Sequence, residues 1–222
     1  MTSRIVGLVA ARNEQGRIGP CVAGLRDFVT QVIVVDDAST DATQAEATEA
    51  GATVLRVGRR LGKGAALEGA LRRAAPADVW LLADGDLGET AKGLSVLVDL
   101  VAAGEADLAI AAFPPARAGG FGLVKRAAAH AIRVQAGFEA TEPLSGQRAL
   151  TAEAMDRLRP LAEGFGVETA MTIDAVRAGL RVVEVPIDGL DHRPTFRDPA
   201  GFLHRARQGW DIARAVGPRM WG

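Results

Sequence analysis

The sequence predicts an α/β fold with a mostly parallel central sheet and helices on both faces. Two observations carry that expectation. Short apolar, β-rich runs alternate with segments of helical periodicity from the N-terminus onward, the pattern of βαβ repetition. Three of those runs end in polar or glycine-rich sequence, at the strand ends where open parallel sheets bind ligands.

Ile5 to Ala11 is a continuous apolar run, as in a strand buried on both faces. Ile18, Val22, Leu25 and Val29 follow at helical spacing. Val32 to Val35 is a second strand, ending at Asp36-Asp37. Ser39 or Thr40 is expected to cap the next helix, which stops at Gly51. Thr53 to Val57 is a third strand. Gly62-Lys63-Gly64 opens an alanine-rich helix that ends before Pro76. Val79 to Ala83 is a fourth strand, ending at Asp84-Gly85-Asp86, followed by a helix over roughly 90–103 and a strand from Leu108 to Ala112. Pro114 to Gly122 is too rich in proline and glycine for a regular element and reads as a lid loop. A helix over about 123–136 carries Lys125, Arg126 and Arg133. Glu142-Pro143-Leu144-Ser145-Gly146 is a turn, Gln147 to Leu150 a short strand. Helices near 152–158 and 167–178 precede a strand from Arg181 to Val185, and a last helix is expected over 200–215.

Composition narrows the function classes. The chain has 222 residues, 48% hydrophobic and 24% charged, with 26 Lys+Arg against 27 Asp+Glu. A net charge of −1 argues against a general nucleic-acid binder. Cys21 is the only cysteine, so no intrachain disulfide forms and a reducing compartment fits best. No apolar run reaches the length of a membrane span and no signal-peptide pattern opens the chain. The expectation is one cytoplasmic domain over 1–222.

The chemistry concentrates at the strand ends. Alternation along a strand lets Asp84 and Asp86 point the same way. Two converging carboxylates suit a hard divalent cation, which takes oxygen ligands. A solvated acidic turn is the bland alternative, weakened here by the buried strand that precedes it. Asp36 and Asp37 are either helix-capping residues or nucleotide contacts, since adjacent carboxylates at a sheet end cost desolvation unless something binds them. Gly62-Lys63-Gly64 lacks the spacing of a P-loop, yet it can place an ammonium and backbone N–H groups near phosphates.

Taken in order, Ala11-Arg12-Asn13-Glu14, Val34-Val35-Asp36-Asp37-Ala38-Ser39-Thr40-Asp41, Leu61-Gly62-Lys63-Gly64 and Leu82-Ala83-Asp84-Gly85-Asp86-Leu87 resemble the family 2 glycosyltransferases, with their single-domain, Rossmann-like GT-A fold. Glu142-Pro143-Leu144-Ser145-Gly146-Gln147-Arg148 is similar to the D-x-x-S-G-F-R segment of the polyprenyl-phosphate (dolichol-phosphate type) sugar transferases, with Gln147 in place of the aromatic. The chain also resembles the glucosyl-3-phosphoglycerate synthases. Gly88 stands where the polyprenyl-phosphate group often has glutamine.

The resemblance implies a metal-dependent transferase that moves a sugar from a nucleotide-diphosphate sugar (UDP or GDP) to a phosphorylated acceptor. Polyprenyl phosphate is the first expectation; a soluble acceptor such as 3-phosphoglycerate is the alternative, and a nucleotide-binding regulatory module is the rival of another class. Residues 1–112 would bind the nucleotide sugar and 113–222 the acceptor. The backbone of Ala10 and Ala11, with Glu14 and Asp36, would hold the base and ribose. Lys63 would sit near the base or diphosphate. Asp84 and Asp86 would bind Mg²⁺ or Mn²⁺, with His192 completing the site. Arg148 is expected near the acceptor or diphosphate, and Glu168 as general base or acceptor-orienting carboxylate. Lys125 and Arg126 favour an anionic acceptor. The basic rim of the last helix suggests peripheral contact with the inner face of a membrane, and the reading leaves room for a homodimer.

Overall fold

The computed structural model describes residues 3–113 and 122–191. The expectations placed on the loop residues 114–121, on His192 and on a helix over 200–215 lie outside the described residues.

A seven-stranded sheet runs in the order β3-β2-β1-β4-β6-β5-β7. The strands are β1 (Ile5–Ala11), β2 (Gln31–Asp36), β3 (Thr53–Arg56), β4 (Val79–Asp84), β5 (Leu108–Ala112), β6 (Arg148–Thr151) and β7 (Val182–Pro186). Every neighbouring pair is parallel except those made by β6, which lies antiparallel between β4 and β5. The helices are α1 (Ile18–Arg26), α2 (Thr43–Glu49), α3 (Lys63–Leu71), α4 (Ser95–Ala102), α5 (Gly122–Ala136), α6 (Ala152–Leu158) and α7 (Val167–Arg177). The segment expected to start a helix near residue 90 begins instead as a 3₁₀ turn, Gly88–Leu94, before α4 takes over.

Strand alternation builds two apolar layers. Val79, Leu81 and Ala83 of β4 pack with Ile18, Val22 and Leu25 of α1 and Leu97, Val98 and Val101 of α4. Trp80 and Leu82 face the other way, onto Ala66, Leu67 and Ala70 of α3, Met155 of α6 and Met171 of α7. Strands covered on both sides explain why their sequences read as unbroken apolar runs.

This topology places the strand ends. The chain winds from β1 outward to β3, then returns to lay β4 on the other side of β1, so a crevice opens at the carboxyl end of β1. In register, Ala10 lies beside Asp84 and Ala11 beside Asp36. Because β6 runs antiparallel with Arg148 opposite Leu82, the residues just before it are carried up to Asp84.

Candidate functional site

The first two strand ends are laced together by the chain itself. Ser39 Oγ accepts the Asn13 N–H at 3.0 Å, Asn13 Oδ1 accepts the Thr40 N–H at 2.9 Å, and Thr43 Oγ1 accepts the Glu14 N–H at 2.8 Å. Ser39 and Thr40 therefore do not cap α2 as expected. They bridge to the neighbouring loop, and Asp41 Oδ1 takes the Thr43 N–H at 3.0 Å. Asn13 and Ala38 sit at positive φ, 56° and 60°. Asparagine tolerates that region, whereas alanine is strained there.

Asp36 is fully buried, with Oδ1 accepting the Ser39 N–H at 2.9 Å and Oδ2 3.7 Å from Arg56 Nε. Asp37 accepts the Leu61 N–H at 2.7 Å through one oxygen and the Gly62 N–H at 3.1 Å through the other. Asp37 thus has both oxygens satisfied by backbone N–H groups, whereas the buried Asp36 Oδ2 has no hydrogen-bond partner among the described residues. Asp37 is neither a helix cap nor free for a nucleotide; it anchors the loop that delivers Lys63.

The two glycines around Lys63 have separate reasons. Gly62 has φ +87°, open to glycine and costly for other residues. A Cβ on Gly64 would lie 1.8 Å from the Ala162 carbonyl oxygen, so only glycine lets the start of α3 approach the segment leading into α7. That approach brings together residues far apart in sequence. Lys63 Nζ stands 2.5 Å from Asp84 Oδ1 and 2.8 Å from Glu168 Oε1. Burial works against the Lys63 charge, and the charges of Asp84 and Glu168 more than offset it, so its pKa lies above the ordinary lysine value.

The other Asp84 oxygen accepts the Gln147 amide at 2.9 Å, and Ser145 Oγ reaches Gln147 Oε1 at 3.3 Å. Gly146 abuts the same spot. A Cβ there would fall 2.2 Å from Lys63 Nζ and 2.4 Å from Asp84 Oδ2. Asp86 lies on the α1 side, where Arg17 Nη1 donates to its carbonyl oxygen at 2.5 Å. Beneath both acids, the Cys21 thiol lies near the Asp84 carbonyl. Burial pushes its pKa up to about 12, and the charges of Asp86, Asp84 and Glu14 add to the rise.

Arg148 is placed otherwise than expected. It is 1% exposed, under the turn it was expected to serve. Its Nε donates to the Ser145 carbonyl at 2.8 Å and its Nη1 to Thr172 Oγ1 at 3.0 Å, while the buried Nη2 lacks a hydrogen-bond partner among the described residues. Burial lowers its pKa to about 10, against the opposing pull of Glu168, Glu184 and Asp84. The guanidinium supports the site from within. Lys125 is paired with Glu142 at 2.6 Å, and Glu142 N–H and Thr141 N–H both donate to Glu184 of β7.

Residues 8–154 match the profile of glycosyl transferase family 2. The chain belongs to this family. As a family 2 member it is 29% identical over 184 residues to Glycosyltransferase AglJ of Haloferax volcanii, covering 81% of this chain and 60% of that protein. It is 31% identical over 198 residues to Glycosyltransferase AglD of the same organism, covering 80% of this chain and 31% of that protein. The chain therefore spans about 60% of the first relative's length and about a third of the second's. Among solved structures it is similar to glucosyl-3-phosphoglycerate synthase from Mycobacterium tuberculosis in complex with phosphoglyceric acid, at TM-score 0.82 and 29% identity over 98% of this chain and 80% of that one. The same synthase with Mn²⁺, UDP-glucose and phosphoglyceric acid matches at TM-score 0.79 and 28% identity, over 97% of this chain and 80% of that one. The GT-A fold expected from the motifs is the fold observed. Glu168 lies beyond the matched residues, and the seat of Gly64 against Ala162 and Glu163 accompanies the Lys63–Glu168 contact.

The divalent cation was expected on Asp84 and Asp86. Asp84 and Asp86 supply hard oxygen donors, and the Lys63 ammonium already occupies a cation position 2.5 Å from Asp84. Among the described residues no group of three or more His, Cys, Asp or Glu side chains forms a metal cluster. Mg²⁺-type sites commonly combine one or two carboxylates with phosphate oxygens.

The sequence left Gln147 without a role, and it gave Gly64 and Gly146 only as members of their motifs. Gln147 was visible as a departure from an aromatic position. The demand for glycine at 64 and 146 came from backbone approaches that no local pattern encodes.

Proposed function

We propose that this family 2 chain transfers a sugar from a UDP-linked donor to a phosphorylated acceptor, using a divalent cation held by Asp84 and Asp86, with His192 as the third candidate ligand. The observation that carries the reading is the Lys63 ammonium held jointly by Asp84 and Glu168. It joins the strand end expected to meet the donor diphosphate to the half, 113–222, expected to meet the acceptor.

The chain's own residues divide the work. The Ala10 and Ala11 backbone lines the crevice beside Glu14, where base and ribose are expected; Asp36 serves them by fixing the Asp36–Ser39 turn. Lys63 offers an ammonium to the negative charge that develops on the departing nucleoside diphosphate. A bound cation would supply further neutralisation of that same charge. Glu168, at the first turn of α7, orients the acceptor. A phosphate acceptor is already an anionic nucleophile and needs no strong base to attack the anomeric carbon. Arg148 acts as a positioning residue beneath the Ser145–Gly146 turn.

The solved relative that holds Mn²⁺, UDP-glucose and phosphoglyceric acid supports donor, cation and acceptor class together. A phosphomonoester can come from a polyprenyl phosphate, as the Glu142–Arg148 segment suggests, or from a small acid such as 3-phosphoglycerate, as the structural likeness suggests. Among the described residues no helix is long and apolar enough to cross a membrane. The test supplies labelled UDP-sugar with Mn²⁺ and each acceptor in turn, for the wild type and Asp86→Ala. Product with one phosphorylated acceptor, abolished in a folded Asp86→Ala protein, is expected. Transfer that is indifferent to Asp86 or to divalent cations would overturn the reading.

A further inference from the structure

Both Asp84 carboxylate oxygens have partners within the protein. Oδ1 faces Lys63 Nζ at 2.5 Å and Oδ2 accepts the Gln147 amide at 2.9 Å. The Lys63 side chain is only 14% exposed and Glu168 8%, so solvent screens that pair poorly, while Asp84 is 34% exposed and open to an arriving cation. The Gly146 backbone lies against the Lys63–Asp84 contact. A divalent cation approaching Asp84 meets a positive charge already in place.

We infer that Lys63 is a built-in counter-cation that opposes metal capture by Asp84 before nucleotide binds and makes metal and nucleotide binding cooperative. This rests on the metal-dependent reading above. The arriving diphosphate gives the ammonium a new anion, so Lys63 leaves Asp84 and the carboxylate turns to the metal. Removal of the same ammonium frees Glu168 toward the acceptor side. By linkage, metal strengthens nucleotide binding by the factor with which nucleotide strengthens metal binding. The ammonium thereby keeps Asp84 and Glu168 neutralised between turnovers, at the cost of weak affinity for free metal.

The experiment titrates Mn²⁺ into the full-length protein, with and without UDP, reading free Mn²⁺ by electron paramagnetic resonance. Lys63→Met removes the charge at similar volume. It should bind Mn²⁺ without nucleotide about tenfold more tightly than wild type, and the gain on adding UDP should shrink. Lys63→Arg keeps the charge and should retain weak nucleotide-free binding. If circular dichroism shows Lys63→Met unfolded, Lys63→Gln carries the same comparison. Nucleotide-free Mn²⁺ affinity in the neutral variants equal to or weaker than wild type overturns the counter-cation role. Asp86→Ala separates the two claims. If it abolishes Mn²⁺ binding while the Lys63 variants match wild type, the metal reading stands and the counter-cation role falls; no Mn²⁺ binding by any variant, with or without UDP, overturns both.

Discussion

Gly146 lies against the Lys63 ammonium so closely that a methyl group on its Cα would sit 2.2 Å from Nζ. Its φ is not in the left-handed region, so alanine fits the backbone there. What alanine displaces is two side-chain ends, the Lys63 ammonium and the Asp84 carboxylate. Gly146→Ala is therefore expected to keep the fold and damage the site. Turnover should fall on the order of tenfold to a hundredfold, as misplacement of reacting groups does, with the thermal midpoint nearly unchanged. A variant with wild-type turnover would show that the Lys63–Asp84 contact is dispensable.

Asp37 holds the loop ahead of Lys63 through two backbone N–H groups. Asp37→Asn retains the size but leaves one of those donors facing an amide NH₂. Loss of such a charge-assisted bond costs about 1.5–3 kcal/mol. Part of that should appear as weaker binding of the donor, measured by calorimetry, because Lys63 loses its fixed origin. Unchanged stability and unchanged donor affinity together would remove Asp37 from the anchoring role.

Arg148 makes two charge-assisted hydrogen bonds to neutral acceptors in the protein interior, Ser145 and Thr172, through different nitrogens. Lysine offers one charged centre and cannot reproduce that fork. Arg148→Lys should lower stability by about 1.5–3 kcal/mol, a drop of roughly 3–12 °C in the thermal midpoint for a chain of this size. Donor affinity should fall less than transfer, since the Ser145–Gly146 turn loosens. An unshifted midpoint would place the guanidinium outside the support of the turn.

Cys21 is buried, and its thiol titrates near 12 against an ordinary 9.0, first through burial and then through the charges of Asp86, Asp84 and Glu14. In the unfolded chain the thiol ionises first as pH rises. The unfolded state then holds fewer protons than the folded state, so this group's contribution to stability is intact below pH 9 and declines between about 9 and 12. Native protein at pH 8 should resist a thiol reagent such as iodoacetamide and react once denatured. Rapid modification of the folded protein would show that the carboxylates above Cys21 do not seal it.

The α/β class, the order of most elements and the acidic and glycine-rich strand ends were legible in the chain, because they follow from local periodicity and from short motifs that each occupy one turn. The sequence also supplied Asp84, Asp86, Lys63 and Glu168 as separate candidates. Their relation was decided by the tertiary structure. The antiparallel insertion of β6 between β4 and β5 carried Gln147 and Gly146 to Asp84, and the close seat of Gly64 against Ala162 brought Lys63 to Glu168. Arg148, read from its motif as a ligand contact, became an interior support for the same reason. A one-dimensional pattern records which side chains can carry charge; burial and partners depend on which strands pair and how closely backbones approach, and those are settled by packing across the whole sheet.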